Sequence, residues 1–187
     1  MKKKIKVMLI FGTRPEAIKM APIIKAMENN NHFQEIIVVT GQHREMLDQA
    51  LSDFKIVPDY DLHLMKKEQT LSSITIDVIK SLGKIFEKDK PDIVLVHGDT
   101  ATTFAASVSA FYHKIIIGHV EAGLRTWNKY SPFPEEMNRR LTDTLADLYF
   151  APTIQSQENL ILEHHNRNNI FVTGNTSIDA LKYTVHK

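Results

Sequence analysis

The 187-residue sequence contains no cysteine, which excludes disulfides, thiolate metal sites and cysteine nucleophiles and points to an intracellular, cytoplasmic protein. It also lacks a net field. With 23 basic and 22 acidic residues the formal charge is +1, so neither nucleic acid nor an anionic membrane is recommended as a partner. Any anion site must be local. No stretch approaches the roughly 20 apolar residues of a membrane helix. The apolar run after Met1-Lys2-Lys3-Lys4 is short and enters Gly12-Thr13-Arg14-Pro15 instead of a small-residue cleavage site, as a buried first strand would and a signal peptide would not. Internal repeats, low-complexity tracts and internal linkers are missing too, leaving one domain as the default.

What is present is a globular mixture, 43% hydrophobic and 24% charged. Short Val- and Ile-rich runs alternate with longer amphipathic segments, the pattern of a parallel sheet with helical crossovers. The expected strands are Val7–Phe11, Ile36–Thr40, a short one at Tyr60–Leu64, Ile93–Val96, Ile115–Val120, Leu148–Ala151 and Ile170–Thr173. Helical spacing covers Pro15–Asn29, Arg44–Leu51, Ser72–Lys88, Thr102–Tyr112, Glu135–Leu145 and Gln155–Glu163, with a last helix from Thr176 to Lys187. Thr13-x-x-Glu16 fits a capping box, and Pro134 precedes Glu135 as an N-terminal proline should. The fold class is α/β, a Rossmann-like parallel sheet flanked by helices.

In open parallel sheets the ligand crevice lies beyond the carboxyl ends of the strands. Four turns there carry unusual residues: Gly12–Glu16, Gly41–Arg44, His97–Thr100 and Glu121–Thr126. The first matches neither the G-x-G-x-x-G fingerprint nor a Walker A loop. It does offer a helix N-terminus with Arg14 at the turn and Lys19 one turn on, a place to hold a phosphate. Both cations equally fit a solvated helix start. Asp99, Glu121 and Glu135 can meet in one crevice, where repulsion and desolvation would split their protonation behaviour between acid, base and cation-stabilising roles. Each also has a plain structural reading: Asp99 as a helix cap, Glu135 complementing a helix N-terminus and paired with Arg139, Glu121 paired with Arg125.

His97 with Asp99, and His119 with Glu121, are i, i+2 pairs at strand ends, where side chains point the same way. A metal-dependent phosphoesterase is therefore a competing reading. Against it, no H-E-x-x-H spacing occurs and buried histidines more often hydrogen-bond than ligate, so no metal is assigned.

The strings F-G-T-R-P-E-A-I-K-M-A-P, G-Q-H-R-E-M-L, V-L-V-H-G-D-T, G-H-V-E-A-G-L-R-T, S-P-F-P-E-E-M-N-R and V-T-G-N-T-S-I-D-A-L resemble, in order, the non-hydrolysing UDP-N-acetylglucosamine 2-epimerases. The resemblance spans essentially the whole chain. It implies the first of two Rossmann-like domains of a glycosyltransferase-like, GT-B-type fold, with residues 1–175 as that domain and 176–187 starting the helix toward a missing C-terminal UDP-binding domain. It implies UDP-N-acetylglucosamine and UDP as ligands, no cofactor, and a reaction that eliminates UDP to 2-acetamidoglucal and re-adds it on the other face. Asp99, Glu121 and Glu135 then fall at catalytic positions, with their individual roles open. Arg14 and Lys19 match nucleotide-sugar contacts, and Gln42, His43 and Gln69 match a region where some bacterial members bind a second substrate molecule as activator. Trp127-Asn128 departs from the small flexible pair expected there. A homodimer formed through this domain is also implied, as is a product used in cell-wall or capsule polysaccharides.

Two rivals stand beside that reading. One is a hydrolysing epimerase that releases UDP and free N-acetylmannosamine. The other is a binding or dimerisation module that is inactive without its second half.

Overall fold

A computed structural model describes residues 3–41, 44–64 and 69–185. Among the described residues seven strands and seven α-helices alternate: β1 (Ile5–Phe11), α1 (Arg14–Glu28), β2 (Phe33–Val39), α2 (Arg44–Asp53), β3 (Tyr60–Asp61), α3 (Leu71–Asp89) and β4 (Ile93–His97) come first. Then follow α4 (Ala101–Tyr112), β5 (Ile116–Val120), α5 (Glu135–Leu145), β6 (Leu148–Ala151), α6 (Ile154–Leu162), β7 (Ile170–Val172) and α7 (Thr176–Val185). The sheet order is β3-β2-β1-β4-β5-β6-β7, every neighbour parallel. The order reverses between β1 and β4. That is the switch point where flanking loops part and leave a crevice.

Alternation along each strand sends successive side chains to opposite faces. In β1, Val7, Leu9 and Phe11 join a core roofed by α1, α2 and α7, while Met8 and Ile10 join the one under α3 and α4. Both cores are apolar, which explains why β1 reads as an unbroken hydrophobic run. Each fully buried aliphatic side chain contributes about 1.5–3 kcal/mol. Gly118 in β5 makes room for close packing: a Cβ there would lie 2.6 Å from Leu95 and 3.2 Å from Phe150. The helix expected from Thr176 is α7, described as far as Val185, and it buries Ala180 against the second core.

The capping box forms at the first turn. Glu16 accepts from the backbone N–H of Gly12 (2.9 Å) and Thr13 (2.7 Å), and Thr13 Oγ1 caps Glu16 N. Pro134 occupies the N-cap of α5 itself, one residue before the helix, and caps with no side chain. Among the described residues no helix is long and apolar enough to cross a membrane.

Candidate active site

Three turns converge at the switch point. The β1–α1 turn opens α1, which carries Arg14 and Lys19, the β4–α4 turn supplies Asp99, and β5 leads directly into Glu121. Glu121 sits at φ 68, a left-handed conformation that is uncommon for a residue with a side chain and clusters at functional sites. Lys19 Nζ donates to Glu121 Oε2 at 2.6 Å, and His97 Nε2 lies 3.5 Å from the same oxygen. Burial works against the Glu121 charge, but His97 and Lys19 outweigh it and hold the carboxyl down at about 2. Glu121 is therefore a fixed anion at neutral pH.

Asp99 is the opposite case. Burial pushes its carboxyl above the ordinary range; Arg139, 3.2 Å away, opposes the rise, and the charges of Glu135, Glu121 and Glu16 add to it. The carboxylates expected to share a crevice thus act on one another electrostatically. Two acids in one site are pushed in opposite directions, which suits them to different tasks.

Of the structural alternatives only one forms, the placement of Glu135 in the first turn of α5, where it complements the helix N-terminus. The N-cap of α4 is Thr100 and not Asp99. Arg125 pairs with Asp143 and Glu163, not with Glu121. Arg139 reaches Asp99 and Glu136, and its contact with Glu135 is to the backbone carbonyl. Nor do the i, i+2 pairs converge as metal ligands: His97 turns to Glu121, and His119 bridges Asp143 and the Gly98 carbonyl. Among the described residues no three His, Asp or Glu side chains gather to hold a metal ion.

Arg14 lines a cleft of about 490 Å³ between α1, α2 and α7, together with Ile18, Phe54, Ser177 and Leu181. Gln69 stands just before α3, its Nε2 donating to the Leu64 carbonyl at 2.6 Å. Gln42 and His43 lie outside the described residues.

This geometry has relatives. A family model described as UDP-N-acetylglucosamine 2-epimerase matches residues 25–187. The chain belongs to that epimerase family. It is 59% identical over 183 residues to the UDP-N-acetylglucosamine 2-epimerase of Bacillus subtilis, covering 98% of this chain and 48% of that one. It superposes with TM-score 0.94 and 56% identity on a Neisseria meningitidis UDP-GlcNAc 2-epimerase bound to UDP-GlcNAc, covering 97% of this chain and 50% of that one. A Methanocaldococcus jannaschii UDP-GlcNAc 2-epimerase in complex with UDP-GlcNAc and UDP gives 0.90 at 38% identity, covering 96% and 49%. The chain spans about half the length of the curated relatives it matches. A lipopolysaccharide outer core galactosyltransferase, 13% identical at TM-score 0.64 over 91% of this chain and 46% of that one, shares the fold alone. The epimerase-family chain thus has the Rossmann-like fold found in about half of each of these GT-B-type structures.

Several residues of this candidate site escape pattern reading. Every buried residue of α5 is polar: Glu136, Asn138, Arg139, Thr142 and Asp143. Glu136 accepts from the backbone N–H of Thr126 and Trp127, both at 3.0 Å, and so holds the loop after Glu121. Trp127 there sits at φ 64, where a glycine would be unstrained, which gives the departure from a small flexible pair its physical content. Asn138 Nδ2 donates to the Asp99 carbonyl at 2.9 Å. The signal for these partners is the spacing of polar residues at i, i+3 and i+4 along α5, a face usually assigned to solvent.

Proposed function

We propose that this chain is the first domain of a non-hydrolysing UDP-N-acetylglucosamine 2-epimerase, which interconverts UDP-N-acetylglucosamine and UDP-N-acetylmannosamine. The observation that carries the reading is the divergence between Glu121, a locked anion, and Asp99, a carboxyl raised by burial. The hydrogen on carbon 2 of the sugar is not next to a carbonyl, so it becomes acidic only as the bond from carbon 1 to UDP breaks. A fixed carboxylate beside the ring favours that cationic transition state. A neighbouring carboxyl with a raised affinity for protons takes the carbon-2 proton as UDP leaves. Return of UDP to carbon 1 and of a proton to the other face of carbon 2 completes the inversion.

In this reading Asp99 and Glu135 are the proton-handling candidates and Glu121 is the stabiliser. Arg14 and the N-terminus of α1 receive the diphosphate, and Lys19 orients Glu121 while adding positive charge to the same wall. Gln42, His43 and Gln69 border an activating substrate molecule. A C-terminal domain beyond 176–187 supplies the remaining UDP contacts, and two copies pair through this domain in the cytoplasm.

Proton NMR of UDP-N-acetylglucosamine with this chain in heavy water tests the proposal. Saturable binding without loss of the carbon-2 proton is expected, weakened by Arg14→Ala. Loss of that proton without UDP accumulation would show that the second domain is dispensable. Sustained UDP release would replace the proposal with a hydrolysing enzyme, and absence of binding would remove the nucleotide sugar from this domain.

A further inference from the structure

We propose that His119 is a positioning residue that sets Asp99 against α5 by bridging the Gly98 carbonyl and Asp143. The significance of that placement rests on the catalytic reading of Asp99 and Glu135 above; the bridge itself does not.

The His119 and Asp143 side chains are both 0% exposed, so neither touches a ligand in the crevice. His119 Nε2 is 2.7 Å from the Gly98 carbonyl oxygen, which can only accept. Nδ1 is 2.6 Å from Asp143 Oδ1. The other oxygen of Asp143 already receives Arg125 Nη2 at 2.7 Å and the Gly123 N–H at 3.2 Å, so this carboxylate is an acceptor on both sides. Both ring nitrogens therefore face acceptors.

The peptide unit pinned by Nε2 is the one that joins Gly98 to Asp99. Gly98 is at φ 68, with nothing within 4 Å of where a Cβ would stand, so packing alone does not hold its orientation. The next carbonyl, that of Asp99, receives Asn138 from α5, and the Asp99 carboxylate meets Arg139 of the same helix. Asp143 lies just over two turns along α5 from Glu135. The line from Asp143 through His119 to Gly98 therefore fixes the depth of α5 against the β4–α4 turn. It thereby sets the spacing of Asp99 and Glu135, whose charges act on each other. Arg125 closes the arrangement by tying Asp143 to Glu163 at the end of α6.

The amide variants separate the two bonds. An asparagine places its amide nitrogen near Nδ1 and keeps only the Asp143 contact; a glutamine places it near Nε2 and keeps only the Gly98 contact. The experiment is carbon-13 NMR of the Asp99 carboxyl across pH in this chain, for wild type, His119→Asn and His119→Gln. The midpoint is expected to fall toward the ordinary carboxylate range in H119N and to stay near wild type in H119Q, although both lose thermal stability. Equal midpoints in the two variants would overturn the proposal. Should H119N fail to fold, a long-range proton–nitrogen spectrum of the wild-type imidazole decides: both ring nitrogens are expected to carry hydrogen, and a bare nitrogen would break the bridge. Loss of the epimerase reading would show up separately, as Asp99 signals that respond to the variants but not to added UDP-N-acetylglucosamine.

Discussion

The Thr100 hydroxyl donates to Glu16 Oε1 at 2.8 Å, joining the first turn of α4 to the first turn of α1 across the point where the sheet reverses. Glu16 is 3% exposed and its other oxygen serves two backbone N–H groups of the β1–α1 turn. Removing it strips a helix cap and leaves buried donors unpaired. Glu16→Ala is expected to cost about 2–4 kcal/mol, and Thr100→Val about 1–2, measured by urea denaturation. A Glu16→Ala change of less than about 0.5 kcal/mol would show that water replaces these bonds at little cost.

The acid limb of stability should carry the Glu121 signature. Its carboxyl is at about 2 in the folded chain against 4.5 ordinarily, so the group stabilises the fold fully above that upper value. The contribution is lost as pH falls toward the lower one. Glu121→Gln should flatten the thermal midpoint between those pH values. Lys19→Met should move the loss to higher pH, because the 2.6 Å partner is gone. An unchanged limb in both variants would refute the assignment.

Asp99 has the reverse sign. A raised carboxyl holds its proton longer in the folded chain, so stability falls as pH rises through that range. Asp99→Asn is accordingly expected to raise the thermal midpoint at neutral pH and to change it little in acid. Such a trade is common where a site stores unfavourable charge. A destabilised Asp99→Asn at neutral pH would mean that the Arg139 contact outweighs burial.

Two glycines with positive φ should respond unequally to alanine. At Gly98 a methyl meets nothing within 4 Å, and only backbone strain of about 1–2 kcal/mol is expected. At Gly123 it would stand 2.2 Å from the Ser156 carbonyl oxygen, a backbone atom that cannot step aside. Gly98→Ala should fold with a modestly lower midpoint, and Gly123→Ala should lose cooperative unfolding in calorimetry.

Arg125 forks between Asp143 and Glu163 with its charged end buried. Arg125→Met leaves two carboxylates facing each other, and breaking a buried pair in this way costs about 3–5 kcal/mol. Arg125→Lys should recover only part of that loss, because an ammonium cannot reproduce the fork. Chemical denaturation of the three forms ranks them directly.

Strand positions were readable because β1, β4 and β5 are covered on both faces and their apolar runs are continuous. The edge was less so: of the expected strand at Tyr60–Leu64 only Tyr60–Asp61 is regular, and although the Leu62 and Leu64 N–H groups still reach the Val39 and Thr40 carbonyls, His63 turns away at φ 48. Strand β2 begins at Phe33, three residues before its apolar run, because Phe33 pairs with Ile5 at an end of the sheet where burial is partial. In the candidate site, the position of Asp99 and Glu121 directly after buried strands was legible as a place at the carboxyl edge of the sheet. Their partners were not local. Lys19 lies 102 residues from Glu121, whereas the helix-spacing pairings Glu121 with Arg125 and Glu135 with Arg139 lose to tertiary contacts.

The inward polar face of α5 has a bearing on how the domain moves. A helix with no fully buried apolar residue gains little from leaving water and is held by hydrogen bonds and ion pairs to turns that must already be in place. Its docking is accordingly expected to come late in assembly and its undocking early in opening. Amide exchange in α5 should therefore run ahead of exchange in β1, at a free energy below that of global unfolding. The α5 wall can then loosen and re-form on an intact sheet, so the same domain combines a rigid floor with an adjustable side.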